Sequence, residues 1–401
     1  MQSSDLFDQW LRHVRKIGSF DSTSGLLEYD QRVTMPEANA DIRAFDIGIM
    51  EELCHVTLTD RWFVEATEEL VRSGDVTDPE SLACLTVTKR KVDRAVRVPT
   101  DLAVKIASEG TLSYNVWKQA KTTSDFAAFL PHLKEMVRLK REEASCIGIG
   151  QCAYDALLDE YAPDMTLKKL LPLLENVVAQ LKPMVDRVRD IEIPTDVLNL
   201  PFPEGDTVRF GMKVIEDLGY DFKRGMLVRT PHPVTMGLSV NDVRISVFSQ
   251  FKGLVLTMLA IIHEAGHGMY RQGCPQQWWH TPIGGPMPIS INESQSRFYE
   301  IILGRGLPFW EHYFPEMLER FPFLNGHDFG PRDIYRAINR IEPGYIRVAA
   351  DPLTYPAHIL LRVRIESALI NNEMEAEDVP AAWDEQMEKL LGGSYVNHLE
   401  E

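Results

Sequence analysis

The sequence predicts a mainly α-helical protein with at most one small β-sheet, and three observations support this fold class. Apolar residues recur every three to four positions along most of the chain. The alternation of apolar residues that is typical of a strand is clearest in one segment, 238–248. Pro and Gly interrupt the helical pattern in two loop-like stretches, 192–206 and 274–290. The second stretch is long for a structureless loop in a compact domain, which favours a functional role.

The predicted helices can be placed in chain order. Helical spacing of apolar residues is found at 7–14, 126–137, 167–188, 255–272 and 358–371. Pro131 marks either a kink or the first turn of the second of these helices, because proline cannot continue the backbone ladder of a helix interior. Thr166 is the predicted N-cap of the third helix.

Length and charge limit the classes of protein that the chain can belong to. Its 401 residues allow two or three domains, or one large helical domain. With 42 basic and 59 acidic residues, the formal net charge is −17. This charge argues against binding to nucleic acid, which requires a basic surface, and it disfavours anionic membranes. No apolar segment approaches the ~20 residues of a membrane span.

Cysteine usage and the first residues of the chain predict a cytoplasmic location. The five cysteines are an odd number and none of them forms a CxxC pair, which is typical of free thiols in a reducing compartment. The first sixteen residues carry charges of both signs and lack the uninterrupted apolar region of a signal peptide.

The strongest chemical signal is an H-E-x-x-H motif, 263–267, within a strongly apolar predicted helix. His263 and His267 lie on one helix face because they are four residues apart, and two imidazoles so placed can bind one Zn²⁺. Glu264 is turned by about 100° from His263, so it can accept a proton from a water molecule rather than bind the metal. The alternative is a pair of hydrogen-bonded core histidines.

A catalytic zinc site takes three protein ligands and leaves one position open. Glu293 is the best candidate for the third ligand, since it begins a helical pattern after the loop 274–290. A helix packed against the H-E-x-x-H helix could direct Glu293 towards the metal. The alternative is that Glu293 only complements the dipole near a helix N-terminus.

These motifs resemble the carboxypeptidase Taq family of metallocarboxypeptidases. The similar segments are LLEYDQRVTMPEANADIRA, HPVTMGLSVNDVRIS, HEAGHGMYRQG, NESQSRFYE and IRVAADPLTYPAHILLRVRIE. They follow one another in the family's order, and the resemblance covers essentially the whole chain, 1–401.

The resemblance implies a fold, a reaction and a set of site residues. The fold would be a single, largely helical peptidase body around a deep substrate groove, without a separate second domain. His263, His267 and Glu293 would be the metal ligands and Glu264 the general base. The metal would be zinc or cobalt, the substrates would be peptides with a free C-terminus, and the protein would be a homodimer.

A carboxypeptidase must also bind the C-terminal carboxylate of its substrate, and a planar guanidinium is well suited to this. Arg347, within the Ile-Arg-x-x-Ala-Asp motif 346–351, is the first candidate, with an ion pair to Asp351 as the alternative. His358 and Arg362 are further candidates for substrate binding. Together with Glu366 they share one helix face, where they would support a metal ligand or form a self-contained surface stripe.

The sequence also departs from the family pattern. Asn292 stands where the family's HESQ motif has histidine, and Ala349 stands where glutamate is frequent. The family continues past the segment 381–393 into motifs with a histidine and a tyrosine suited to oxyanion stabilisation, and these are absent here. A second hypothesis is therefore a catalytically weak or inactive metal-binding homologue with a role in binding or assembly. A third is an endopeptidase or dipeptidase that uses the same metal ligands.

Overall fold

The computed structural model describes residues 3–248, 250–251, 253–344, 346–347 and 350–392. The first half of the chain is helical, and its helices are α1 (Ser3–Val33), α2 (Ala40–Leu58), α3 (Arg61–Ser73), α4 (Pro79–Ala95), α5 (Thr100–Thr123), α6 (Phe126–Ile147), α7 (Ala153–Tyr161) and α8 (Leu167–Val188). The helices predicted at 7–14, 126–137 and 167–188 are confirmed within α1, α6 and α8. Pro131 lies inside α6, in its second turn.

Aspartate side chains begin several of these helices. Asp60, Asp78 and Asp125 each accept a hydrogen bond from a backbone N–H in the first turn, of α3, α4 and α6 respectively. Thr166 occupies the N-cap position of α8, as predicted, but its side chain makes no capping hydrogen bond. The carboxylate of Asp155 accepts from the first N–H of α8 instead, at 2.7 Å.

A three-stranded sheet follows, formed by β1 (Gly225–Thr230), β2 (Thr235–Ser239) and β3 (Asp242–Phe248). β3 is central, parallel to β1 and antiparallel to β2. The prediction of one strand over 238–248 was wrong, because a tight turn at Val240 and Asn241 divides it into parts of β2 and β3. Val240 is buried although it lies in the turn, so the apolar pattern continues across the break.

The remaining helices complete the mainly α-helical fold. They are α9 (Glu204–Leu218), α10 (Gly253–Gln272), α11 (Ile289–Arg297), α12 (Leu307–Arg320), α13 (Pro331–Ile338), α14 (Tyr355–Ile370) and α15 (Val379–Leu391). A π-helix, Phe298–Gly304, continues α11. Short 3₁₀ turns lie at Glu37–Asn39, Asp196–Leu198, Gln276–Trp278, Pro322–Gly326 and Ala376–Asp378. The predicted helices 255–272 and 358–371 correspond to α10 and α14, and α14 begins three residues before the second prediction.

The core around α10 determines which side of that helix faces the functional site. Ile261, Ile262 and Ala265 are fully buried against residues of α9, β3 and α12. Gly266 permits a close approach of α11, since a Cβ at this position would lie 2.7 Å from the Cα of Ser296. The opposite side of α10 is thereby left to face a cavity, with α11 alongside.

The stretch 274–290 contains both an anchor and a residue of the cavity wall. Trp278 is buried in a cluster with Trp10 of α1 and Phe63 of α3. Its Nε1 donates a hydrogen bond to Glu80 of α4, at 2.6 Å. The first part of the stretch thus attaches the second half of the chain to the N-terminal helices, and Ile289 at its end lines the cavity. Among the described residues, no helix is both long and apolar enough to span a membrane.

Candidate metal centre and substrate cavity

The H-E-x-x-H motif lies on α10, and α11 brings a carboxylate to it. The rings of His263 and His267 are 5.0 Å apart between centroids. Glu293 of α11 lies 3.6 Å from His263 Nε2 through Oε1 and 3.3 Å from His267 Nε2 through Oε2. One ligand atom from each of these three residues lies within 4.8 Å of the other two. The structure therefore brings together the three residues that the sequence proposed as metal ligands.

Both histidines are oriented by oxygen atoms on their other ring nitrogens. His263 Nδ1 is 2.9 Å from Glu300 Oε2, and His267 Nδ1 is 2.9 Å from Asn292 Oδ1. Because both oxygens accept hydrogen bonds, each Nδ1 carries the proton and each Nε2 faces Glu293. This arrangement is typical of histidines that bind a metal.

Sequence reasoning missed both of these partners. The sequence motif identified Asn292 only as a departure from the family pattern, although its amide oxygen orients His267. Glu300 was not singled out at all. The available signal was its spacing of seven residues from Glu293, which corresponds to almost two full helical turns and hence to one face.

Glu300 belongs to the π-helix and also pairs with an arginine. Arg297 Nη1 donates to Glu300 Oε2 at 2.9 Å. Burial alone would raise the pKa of Glu300, but the hydrogen bond from His263 and the charge of Arg297 hold this pKa below its usual value. Burial also opposes ionisation of Glu293, but the neighbouring His267, His263 and Arg297 outweigh it and hold the pKa of Glu293 below its usual value. Both carboxylates are therefore ionised at neutral pH.

Glu264 lies beside the histidine pair in a different environment. It is buried, and Thr235 of β2 donates to its Oε2 through Oγ1 at 2.6 Å. Burial raises the pKa of Glu264, while the neighbouring histidines oppose the shift. A carboxylate whose pKa lies above its usual value is a better proton acceptor, so this environment suits a general base.

These residues line one cavity of about 500 Å³. α10 forms one wall from Leu256 to Arg271, and residues 232–235, which lead into β2, form another. Arg347 and Tyr355 also line it.

The chain is similar to known metallopeptidases. A family model described as Carboxypeptidase Taq (M32) metallopeptidase matches residues 9–399. The chain belongs to this family. Thermostable carboxypeptidase 1 of Thermus thermophilus is 34% identical over 399 residues, which cover 96% of this chain and 78% of that protein. Carboxypeptidase 1 of Bacillus subtilis is 29% identical over 382 residues, covering 94% and 76% respectively.

The fold comparison leads to the same family. The crystal structure of the M32 carboxypeptidase from Deinococcus radiodurans R1 has a TM-score of 0.88 at 29% identity. The match covers 98% of this chain and 79% of that one. The family of metallopeptidases implies a divalent metal, and the relatives' names indicate hydrolysis of peptides.

Arg347 is the one sequence candidate for substrate binding that lines the cavity of this M32 protein. Its Nη1 donates to the hydroxyl of Tyr355 at 2.7 Å. The alternative ion pair with Asp351 is not formed among the described residues. Asp351 instead accepts from the backbone N–H groups of Leu353 and Thr354, just before α14. The guanidinium of Arg347 is thus held at one end, while it remains in the cavity wall.

His358 and Arg362 are not brought to the cavity lining. His358 is fully buried, and neither ring nitrogen makes a hydrogen bond within the described part of the chain. Burial lowers its pKa to about 4, the charges of Arg362 and Arg347 add to this effect, and the nearby backbone of Gly344 only partly opposes it. Arg362 lies 4.6 Å from the ring centroid of Trp383 and donates to the carbonyl of His358.

The sequence predicts that His358, Arg362 and Glu366 support a metal ligand. Glu300 and Asn292 have that role instead. Glu366 is hydrogen-bonded to the hydroxyl of Tyr154 of α7, at 3.3 Å. Helix α14 packs with α6, α8 and α15, which directs this face away from α11. Ala349, the other departure from the family pattern, lies outside the described residues.

Proposed function

We propose that this protein is a metal-dependent carboxypeptidase that releases C-terminal residues from peptides. The observation that carries the proposal is the convergence of His263, His267 and Glu293 within 4.8 Å, in a cavity that also contains Glu264. Family membership supports the same reaction class.

The three candidate ligands fit a divalent cation. Two Nε2 lone pairs and an ionised carboxylate point at one another, and they repel unless a positive charge lies between them. Two imidazoles and one carboxylate form a donor set that suits zinc and leaves a coordination position open. Cobalt accepts the same donors, so we propose Zn²⁺ with Co²⁺ as a functional substitute.

A bound cation of this kind would lower the pKa of a water molecule and polarise the scissile carbonyl. In the proposed mechanism, the carboxylate of Glu264 removes a proton from the attacking water and then delivers it to the leaving amine. The hydroxyl of Thr235 holds Oε2 of Glu264 during both transfers. Glu264 is buried at the cavity wall, which limits exchange of the transferred proton with bulk water.

Arg347 is the proposed contact for the C-terminal carboxylate of the substrate. A guanidinium binds a carboxylate through two parallel hydrogen bonds, and this geometry distinguishes a free C-terminus from an amide. Tyr355 accepts from Nη1 and so fixes the plane of the group. The ring of Tyr355 also stacks on Arg297, at 3.9 Å from its centroid, which links Arg347 to the Glu300 side of the centre.

The test is an assay of the zinc-loaded protein on matched peptides with a free or an amidated C-terminus, followed by mass spectrometry. The proposal predicts stepwise loss of C-terminal residues from the free peptide and no cleavage of the amide. Equal cleavage of both peptides would favour the endopeptidase hypothesis. Bound zinc without cleavage of either peptide would favour the weakly active or inactive metal-binding homologue.

We also propose that the protein acts as a homodimer in the cytoplasm. The homodimer rests on the family resemblance, and the cytoplasmic location rests on the free cysteines. Light scattering of the purified protein tests the homodimer, since a mass near that of one 45.7 kDa chain would contradict it.

A further inference from the structure

Arg271 is a cavity residue that the proposed mechanism does not use. It follows His267 by four residues on α10, so it lies on the face that carries the two histidines. Its side chain lines the cavity. Among the described residues, its guanidinium makes no hydrogen bond or ion pair, and Nε is buried without a partner. By contrast, Arg297 pairs with Glu300 and Arg347 binds Tyr355.

The surroundings of Arg271 provide space for the guanidinium but no counter-charge at contact distance. The side chain lies over Gly237 of β2, where a Cβ would come within 2.7 Å of its Cδ and Nη1. Burial lowers the pKa of Arg271, and the opposing contributions of Cys274 and of Asp21 on α1 come without a hydrogen bond or an ion pair to the guanidinium. A half-buried cation without a partner gains free energy when an anion reaches it.

The position of Arg271 relative to Arg347 defines which part of a bound peptide it meets. Arg347 donates to Tyr355, whose ring stacks on Arg297. Arg297 pairs with Glu300, which contacts His263, so Arg347 lies towards the His263 end of the metal centre. Arg271 lies past the opposite end, about 12 Å from His263 along the helix axis at 1.5 Å per residue. A peptide whose C-terminal carboxylate is at Arg347 and whose scissile carbonyl is at the metal centre therefore continues towards Arg271 with its preceding residues.

We propose that Arg271 is a specificity-determining residue that binds an acidic side chain on the residue directly before the scissile bond. The inference rests on the proposed function, which defines the direction of the peptide. Arg271 thus makes the protein prefer substrates with glutamate or aspartate as the penultimate residue. A carboxylate there supplies the counter-charge that the cavity lacks, through the paired hydrogen bonds that guanidinium groups favour.

The experiment compares N-acetylated peptides that end in Ala-Glu-Leu, Ala-Gln-Leu and Ala-Lys-Leu. We expect kcat/KM for the penultimate glutamate to exceed that for glutamine by about tenfold in the parent, as for a desolvated ion pair. In Arg271→Gln this ratio falls to about one, and Arg271→Lys restores part of it. Arg271→Glu reverses the preference towards lysine. The matched control is Arg209→Gln on α9, which removes an exposed cation outside the cavity and leaves the ratio unchanged.

A binding measurement makes the outcome independent of turnover. Dissociation constants of the glutamate and glutamine peptides are measured by calorimetry on Glu264→Gln, with and without Arg271→Gln. If C-terminal leucine is released but the ratio is the same with and without Arg271, the specificity proposal is overturned while the proposed function stands. If no peptide is cleaved but the glutamate peptide binds more tightly only when Arg271 is present, the proposed function fails and the binding role stands.

Discussion

Helices α10 and α14 each carry a buried histidine, but the ring nitrogens of the histidines on the two helices differ in their hydrogen-bond partners. On α10, His263 and His267 each use one ring nitrogen on an oxygen partner and direct the other towards Glu293. On α14, His358 has no hydrogen-bond partner for either nitrogen within the described residues. The difference lies in the neighbouring element, since α11 and its π-helical continuation place the side-chain oxygens of Asn292, Glu293 and Glu300 against the histidines of α10.

This difference indicates that a group of histidines is suited to bind a metal when hydrogen-bond partners orient their ring nitrogens. A histidine with one oriented nitrogen has a defined tautomer and a lone pair in a known direction. A histidine without partners stays neutral because burial opposes its charge, and so it contributes to packing rather than to binding a cation.

The largest effect is expected for Glu264→Gln, which keeps the shape of the side chain and removes the proton acceptor. We expect kcat to fall by about 10³-fold, within the 10²–10⁴ that a general base contributes. The zinc content, measured by elemental analysis, should stay at the parent level because Glu264 is not one of the three candidate ligands. Glu216→Gln, at an exposed position of α9, is the control. Undiminished turnover in Glu264→Gln would remove Glu264 from the mechanism.

Arg347→Gln tests the proposed contact between Arg347 and the substrate's C-terminal carboxylate. Tyr355, the first residue of α14, holds Arg347 in place. We expect kcat/KM for a peptide with a free C-terminus to fall by about 10²-fold, because a charged, bidentate hydrogen-bond pair is lost. The control is Arg332→Gln, which removes an exposed cation from α13. If the variant discriminated free from amidated peptides as strongly as the parent does, Arg347 would not be the contact.

Glu300→Gln tests whether the oxygen partners of α10 matter for the metal. The substitution keeps an oxygen acceptor for His263 but removes the negative charge and the ion pair with Arg297. We expect zinc affinity to fall by about 10–100-fold, as measured by competition with a chromogenic chelator. Glu311→Gln, an exposed position of α12, should leave the affinity unchanged. An unchanged affinity in Glu300→Gln would show that the negative charge of Glu300 does not contribute to metal binding.

His358→Leu tests the other side of the comparison through the pH dependence of stability. The pKa of His358 is lowered to about 4 in the folded state, against about 6.5 in the unfolded chain. Between these values the unfolded state binds more protons, so this histidine reduces stability as the pH falls through that window. Between pH 7 and pH 5 the free energy of unfolding of the parent should fall. We expect the fall in the variant to be smaller by about 2 kcal/mol.

The measurement is chemical denaturation at both pH values, with His327→Leu as the control at an exposed histidine. The control should lose as much stability as the parent on acidification. If His358→Leu also loses as much as the parent does, His358 does not resist protonation in the folded state.

Much of the fold could be predicted from the sequence, since helices such as α8 and α10 have long, regular apolar patterns. Errors arose where local patterns continue across a change of structure. Val240 is an apolar residue in the turn between β2 and β3. The alternating pattern therefore runs across the turn, and the sequence did not indicate where one strand ends and the next begins. Thr166 has the right residue type for an N-cap, but the first N–H of α8 is capped by Asp155, twelve residues before Leu167.

The candidate site was predicted in part, for the same reason. Residues four apart on one helix share a face whatever surrounds them, so His263 and His267 were paired by the sequence alone. The same spacing rule grouped His358 with Arg362, but it carries no information about which face of α14 meets the cavity. That depends on packing against α6, α8 and α15, which the helix's own sequence does not record.

The helical fold class and the pairing of His263 and His267 follow from the sequence, and the order of the sequence motifs indicates the family. Tertiary packing adds Asn292 and Glu300 to that pair, brings the candidates Glu293 and Arg347 to the cavity and keeps His358 out of its lining. The physical reason is the range of each interaction. Helical periodicity is a property of neighbouring residues, whereas the approach of α11 to α10 requires Gly266 to fit against the backbone of Ser296, thirty residues along the chain.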